Sequence, residues 1–174
     1  MPSAAALWSR WVWVTRIART RLPSMARSIA SSWDDPRLYP ALLAFICRCR
    51  AKPDLFQSFA VIFEGPTDLG EEAFEGHLWD RVQSLSDKDA FLGQRYDTRV
   101  EADPNDPHFS LSFGGEAFFV VGMHPGASRP ARRFPHPVLV FNLRAQFEQL
   151  RAEDVGSGVL FKMHEDPRVT RVGR

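Results

Sequence analysis

His124 is the residue of this sequence whose type and surroundings are best suited to chemistry. It follows the apolar run Ala117 to Val121 and lies in the stretch Gly122-Met123-His124-Pro125-Gly126, which predicts a turn at the end of a strand. Loops at strand ends often carry binding and catalytic residues, and an imidazole can transfer a proton or bind a metal. We interpret His124 either as a ligand or catalytic residue or as a hydrogen-bonded turn residue.

Three arginines follow His124 and form the densest positive patch of the predicted domain: Arg129, Arg132 and Arg133. Guanidinium groups bind carboxylates and phosphates through paired hydrogen bonds. The patch is therefore either an anion-binding surface or an ordinary solvated one. The other histidines are predicted at a helix surface, in loops and in the tail: His77, His108, His136 and His164.

The composition is that of a folded domain with a core of its own. The chain has 174 residues, of which 44% are hydrophobic and 25% are charged, and its net charge is +1. Because the charge is nearly balanced, we expect no nucleic-acid partner. The sequence contains no phosphate-binding loop, no dinucleotide fingerprint and no Gly-x-Ser-x-Gly motif. The two cysteines, Cys47 and Cys49, are typical of a reducing compartment, so we expect a cytoplasmic protein.

The first 33 residues differ from the rest, because they contain five arginines and no acidic residue. Such a segment is typical of a mitochondrial transit peptide, although an extension of little function, with Met25 as the true start, explains it as well. Its apolar run is too short for a membrane span, and we expect no membrane partner. We predict that residues 1–33 are a disordered or targeting extension, residues 34–151 the domain, and residues 152–174 a divergent tail.

The elements that position these residues follow from periodicity and turn signals. Helices are predicted at Pro36–Arg50, at Glu71–Leu85 with a capping-box spacing from Asp68, and at Leu143–Arg151 with Asn142 as its cap. Strands are predicted at Phe56–Phe63, on both sides of a Gly114-Gly115 hairpin turn, and at Val138–Phe141. This order predicts a single α+β domain, in which helices pack on one face of a mostly antiparallel sheet.

Several stretches, in this order along the chain, resemble the YqcI/YcgG family. The hairpin stretch Phe109–Pro125 carries most of the resemblance. The other stretches are Phe59–Pro66, Glu71–Glu75 with Leu78-Trp79, Ser128–Phe134, Val140–Asn142 and Gln146–Arg151. Together they cover the chain from about Phe56 to Arg151.

The resemblance implies a monooxygenase-type enzyme, because some relatives are haem-dependent N-hydroxylases of guanidino groups in arginine-like amino acids, as in guanitoxin biosynthesis. Haem needs an axial ligand, an apolar slot and cations for its propionates. On this implication His124 would bind the iron. The apolar slot would be formed by Phe113, Phe118, Phe119 and Met123, and the cations for the propionates would be Arg129, Arg132 and Arg133. Glu116 and Glu148 would bind the guanidinium group of a small-molecule substrate. No residue is assigned as the catalytic acid or base.

Three departures from the family favour a second hypothesis, a truncated and non-catalytic member. Arg144 stands where many relatives have a histidine. Cys47 and Cys49 lack the Phe-Pro-Cys context of the family, and the residues from Ala152 onward do not resemble its arginine-rich block. A third hypothesis is a small-anion-binding module that uses the arginine patch. The oligomeric state is open, with a homodimer as one arrangement.

Overall fold

The computed structural model describes residues 26–53 and 55–148. The strands are β1 (Ala26–Ser28), β2 (Ser58–Gly65), β3 (Leu111–Phe113), β4 (Glu116–Met123) and β5 (Val138–Leu143), and the helices are α1 (Asp35–Ala51) and α2 (Glu71–Phe91). Short 3-10 helices lie at Ser32–Asp34 and Pro130–Arg132, and residues 144–148 are helical. Among the helices of this described part, none is both long and apolar enough to cross a bilayer.

The strands form one sheet in the order β1-β2-β5-β4-β3. The pairs β2–β5, β5–β4 and β4–β3 are antiparallel, and β1 pairs with β2 in parallel. This confirms the predicted α+β class with a mostly antiparallel sheet. The central strand β5 is buried at every residue, which explains why its residues 138–141 are continuously apolar rather than alternating.

The core lies between the sheet and the two long helices. Phe45 of α1 contacts Phe59 of β2 and Phe118 of β4, with ring centroids 5.7 and 6.4 Å apart. Phe141 of β5 is fully buried and contacts Phe59, Phe113 and Phe118 at 5.9 to 6.3 Å. Alternate residues of a strand point to opposite faces, so every second residue of β2, β4 and β5 contributes to this core.

Helix α2 is longer than its sequence pattern predicts, since it continues from Leu85 to Phe91. The reason is tertiary: Asp89 is buried and accepts hydrogen bonds from the Tyr39 hydroxyl at 2.7 Å and from the Gly114 N–H at 2.9 Å. The predicted capping by Asp68 is wrong. Gly70 is the N-cap residue, and no side chain caps this end of the helix.

Two further predictions are corrected at the ends of the domain. Asn142, predicted as a helix cap, lies within β5, where its Oδ1 accepts a hydrogen bond from Ser58 Oγ at 2.6 Å. Residues 26–33 belong to the domain instead of the extension, because Ala26 of β1 pairs with Phe63 and the Arg27 N–H donates to Asp34 at 2.6 Å. The predicted tail, residues 152–174, lies outside the described residues.

A buried ionic cluster joins α1 to α2. Asp35 is fully buried and accepts hydrogen bonds from Arg81 Nη1, from Ser84 Oγ at 2.6 Å and from Lys88 Nζ at 3.0 Å. Arg81 is buried as well, and its Nε donates to the Ile29 carbonyl at 3.3 Å. Buried charges persist in proteins when they are paired, so this cluster fixes the position of α2 relative to the start of α1.

Candidate functional site

His124 lies in the interior, where the chain leaves β4. Its side chain is 2% exposed and stacks on Phe74 of α2, with ring centroids 4.2 Å apart and an interplanar angle of 17°. Its Nδ1 is buried and has no hydrogen-bond partner. Its backbone N–H donates to the Arg132 carbonyl at 3.1 Å, and its carbonyl accepts from the Phe134 N–H at 3.4 Å. The backbone of His124, at the start of the loop formed by residues 124–134, therefore holds the end of that loop through two hydrogen bonds.

Two glycines allow the chain to close around this imidazole. A Cβ atom at Gly122 would lie 2.6 Å from Leu78 Cδ1 and 2.7 Å from Phe74 Cε1. A Cβ atom at Gly126 would lie 2.8 Å from the Leu69 carbonyl oxygen and 3.5 Å from His124 Nδ1. Helix α2 thus covers one ring face, and the backbone at Gly126 covers Nδ1.

The three arginines of the predicted patch lie in the same loop but differ in their exposure and in the contacts that they make. Arg133 is exposed, and its Nε donates to the Ala127 carbonyl at 2.8 Å while its Nη2 donates to the Ser128 carbonyl at 3.4 Å. Arg133 therefore holds the loop closed. Arg132 is exposed, and Arg129 is half-buried.

The residues predicted to form an apolar slot do not converge. Phe118 is buried in the core, 5.7 Å from Phe113. Phe119 points to the opposite face of the sheet, is 51% exposed and contacts Phe147 at 5.9 Å. Along the extended chain, Phe118 and His124 are about 20 Å apart. The sheet therefore separates Phe119 from Phe118, and distance along the strand separates Phe118 from the imidazole.

A haem at His124 would need more than a donor atom. The unpartnered Nδ1 is chemically suitable, but an iron porphyrin also requires an open apolar slot beside the ring. The backbone at Gly126 lies against Nδ1, on the side from which an iron would bind that nitrogen. The described residues therefore do not fit a haem at this position. Within residues 26–53 and 55–148 there is also no group of three or more His, Cys, Asp or Glu side chains that could hold a metal ion.

A small cavity lies at the other end of β4, where β5 ends and the helical residues 144–148 begin. Its volume is about 60 Å³, well below the roughly 300 Å³ or more of a pocket for a drug-sized ligand. Its lining is Arg99, Val100, Ala117, Arg144, Ala145 and Glu148. This cavity has room for one charged head group.

Arg99 is held in place by two carboxylates. Its Nη2 donates to Asp97 at 2.6 Å and to Glu116 at 3.0 Å, and its Nε donates to Asp97 at 2.9 Å. Glu116 also accepts from Arg50 Nε at 2.8 Å. Of the two predicted substrate-binding carboxylates, Glu116 is therefore already bound by two guanidinium groups of the chain, whereas Glu148 lines the cavity.

Arg144 is held less firmly than Arg99. Its Nε donates to Glu148 Oε1 at 2.9 Å, and the two side chains are 37% and 62% exposed. An exposed pair four residues apart contributes only about 0.3–0.5 kcal/mol. Arg144 can therefore turn from Glu148 to another carboxylate at little cost.

Asp97 is the buried centre of this site. The hydrogen bonds from the Arg99 side chain, and then those from the Arg99 and Ala117 backbone, lower the pKa of Asp97 to about 2, although burial alone raises it. Asp97 also ties the loop to the hairpin, because its backbone N–H donates to Ser112 Oγ at 2.9 Å.

We expect the contribution of Asp97 to stability to depend on pH. Because its pKa in the folded state is below the ordinary value of 3.8, its stabilisation is complete above pH 4 and is lost as the pH falls from about 4 to 2. Asp97→Asn should lower the free energy of unfolding by about 2 kcal/mol at pH 6, and by much less at pH 2. Urea unfolding at both pH values measures this. Asp87→Asn, at an exposed position of α2, is the control, and an equal loss at both pH values for Asp97→Asn would contradict the argument.

The sequence analysis missed Arg50, Asp97 and Arg99. Asp97 and Arg99 belong to a loop without periodicity, and Arg50 belongs to a distant helix. The one local signal is that an aspartate often accepts a hydrogen bond from the backbone two residues later, as Asp97 does from Arg99 at 2.9 Å. That signal predicts a turn but does not indicate a cavity.

The comparisons with known proteins identify the family. No curated protein and no solved structure matches the chain. The family model described as YqcI/YcgG family matches residues 19–163. The match covers most of the chain and includes the described sheet, the loop anchored by His124 and the cavity beside Arg99. This chain therefore belongs to the YqcI/YcgG family.

Proposed function

We propose that this family member binds the carboxylate group of a small guanidino amino acid in the cavity beside Arg99 and Arg144. The observation that carries the proposal is that two arginines, Arg99 and Arg144, line one cavity of about 60 Å³. Guanidinium groups bind carboxylates through paired, charge-assisted hydrogen bonds. The head group enters the cavity, and the rest of the ligand lies outside it.

The two arginines have different roles in this proposal. Arg99 is oriented in advance by Asp97 and Glu116, so little conformational entropy is lost when it meets a ligand. Arg144 moves from Glu148 to the ligand carboxylate. Glu148 then becomes available to the guanidino end of the ligand. The guanidino class comes from the family resemblance, whereas the carboxylate preference comes from the cavity.

The proposal is for binding without turnover, in agreement with the hypothesis of a non-catalytic member. The haem-dependent N-hydroxylation implied by the resemblance would need a slot beside His124, whereas Phe74 and the backbone at Gly126 pack against that imidazole. The patch of Arg129, Arg132 and Arg133 is the anion site of the third hypothesis, and in it the Arg133 guanidinium is bonded to two carbonyls of its own loop.

Calorimetric titration of the full chain with arginine and with agmatine tests this function. Agmatine is arginine without its carboxylate, so we expect it to bind at least about tenfold more weakly, the equivalent of 1.4 kcal/mol. Arg144→Gln should weaken arginine binding by a similar factor. Arg132→Gln removes the same charge from the exposed loop and should leave the affinity unchanged. Equal affinities for the two ligands, or a larger effect of Arg132→Gln, would refute the carboxylate site.

Haemin titration checks the conclusion about His124. We expect no Soret band that depends on this residue, because Phe74 and the loop backbone enclose the imidazole. The measurement is the absorption difference spectrum of the wild-type chain and of His124→Ala after addition of haemin. A Soret band that is present in the wild type and lost in His124→Ala would show that the loop opens and that His124 binds the iron.

A further inference from the structure

We propose that residues 149–163 of this chain cover the sheet face opposite α1 and α2. This outer face is defined by six apolar side chains on three neighbouring strands. They are Ile62 of β2, Val138 and Val140 of β5, and Phe119, Val121 and Met123 of β4.

The strand register makes these side chains one continuous surface. Met123 pairs with Val138, which pairs with Ile62 in the next strand. In the adjacent row, Val121 pairs with Val140. Phe119 is 51% exposed, Ile62, Val121 and Met123 are half-buried, and Val138 and Val140 of the central strand are buried. A contiguous apolar surface of this kind indicates a place where another segment or partner packs.

The described part of the chain ends on this same face. Phe147 contacts Phe119 at 5.9 Å and Phe56 at 5.6 Å. Gln146 is buried, and its side chain accepts a hydrogen bond from the Gln57 N–H at 3.2 Å and donates one to the Leu55 carbonyl at 3.1 Å. These contacts seat residues 144–148 at the edge of the outer face. The next residues of the chain therefore start beside it.

The length and composition of residues 149–163 suit this role. Their charges balance, with Arg151 and Lys162 against Glu153 and Asp154. Their larger apolar residues are Leu150, Val155, Val159, Leu160, Phe161 and Met163. From Phe119 to Met123 the outer face is about 13 Å long. Residues 149–163 are long enough to span it, because even a helix of that many residues would be about 22 Å long. The family match extends to residue 163, so it includes this segment together with the sheet.

Cysteine labelling of the full chain tests the proposal. Cys47 is exposed and Cys49 is buried, so Cys47→Ser gives a background with little reactivity. In it, Val121→Cys reports on the outer face, and Gln83→Cys, at an exposed position of α2, is the reference. With each rate normalised to its value in denaturant, we expect maleimide to react at least about tenfold more slowly with Val121→Cys. Ile62→Cys is a second reporter if Val121→Cys does not fold.

A matched pair of double variants identifies the covering segment. Val155→Asp with Val159→Asp places two charges inside residues 149–163 and should raise the labelling rate at position 121 toward the reference. Val169→Asp with Val172→Asp makes the same change outside the segment and should have no effect. The proposal is overturned if the outer face labels as fast as the reference, or if both double variants act alike. Protection that disappears on dilution would assign the face to a second copy of the chain and would also overturn it.

Discussion

Phe141→Ala is expected to lower the free energy of unfolding by about 3–5 kcal/mol, the usual range for removing a buried phenylalanine ring. Phe141 is fully buried in the central strand and contacts Phe59, Phe113 and Phe118. Its ring joins the aromatic side chains of three other strands, so the space it leaves cannot be filled by the movement of one neighbour. Urea unfolding monitored by circular dichroism measures the change.

The chain offers a matched control for this substitution. Phe91 is 89% exposed at the end of α2, so Phe91→Ala removes the same atoms from water instead of from the core. We expect this variant to stay within about 0.5 kcal/mol of the wild type. Similar losses for the two variants would mean that Phe141 is not at the centre of the core.

Asp35→Ala is expected to have a comparable effect for an electrostatic reason. It leaves the buried Arg81 guanidinium without its carboxylate partner, and removing one member of a buried ion pair typically costs about 3–5 kcal/mol. Lys88 is partly exposed and can turn toward water, so most of the loss comes from Arg81. The free energy of unfolding in urea at pH 7 is the measurement.

A paired variant separates charge burial from packing. Asp35→Leu combined with Arg81→Met replaces both charges by apolar groups, and such replacements are often neutral. We expect the pair to recover most of the stability that Asp35→Ala loses. Asp87→Ala, at an exposed position of α2, should change the free energy of unfolding by no more than about 0.5 kcal/mol. If the paired variant is as unstable as Asp35→Ala, the loss is due to packing and the electrostatic explanation is wrong.

The local sequence was informative wherever the structure depends on neighbours in the chain. The Gly114-Gly115 pair predicted a hairpin turn, and both glycines have positive φ, 55° and 77°, which side chains disfavour. The apolar spacing from Phe74 to Leu85 predicted the first part of α2, and the continuous apolar run predicted the buried strand β5. These signals act over two to four residues, which is the range of turns, helices and strand alternation.

The extent of α2 and of the sheet depended on distant contacts. Residues 86–91 have no clear apolar stripe. Their helix depends on distant partners, because the Asp89 side chain accepts hydrogen bonds from the Tyr39 hydroxyl and the Gly114 N–H. Likewise, no local pattern in the basic N-terminal segment predicts β1. Its three residues form a strand by pairing with β2. A prediction from local pattern has no access to such partners.

By itself, the sequence determined the α+β class, the hairpin, the central strand and the resemblance to the family to which the chain belongs. Only the tertiary structure decided which charged side chains meet. It encloses His124 against Phe74, and it brings Arg99 and Arg144 to one cavity. The physical reason is that spacing along the chain specifies the direction of each side chain within its own element, whereas the meeting of residues far apart in sequence depends on how the elements pack.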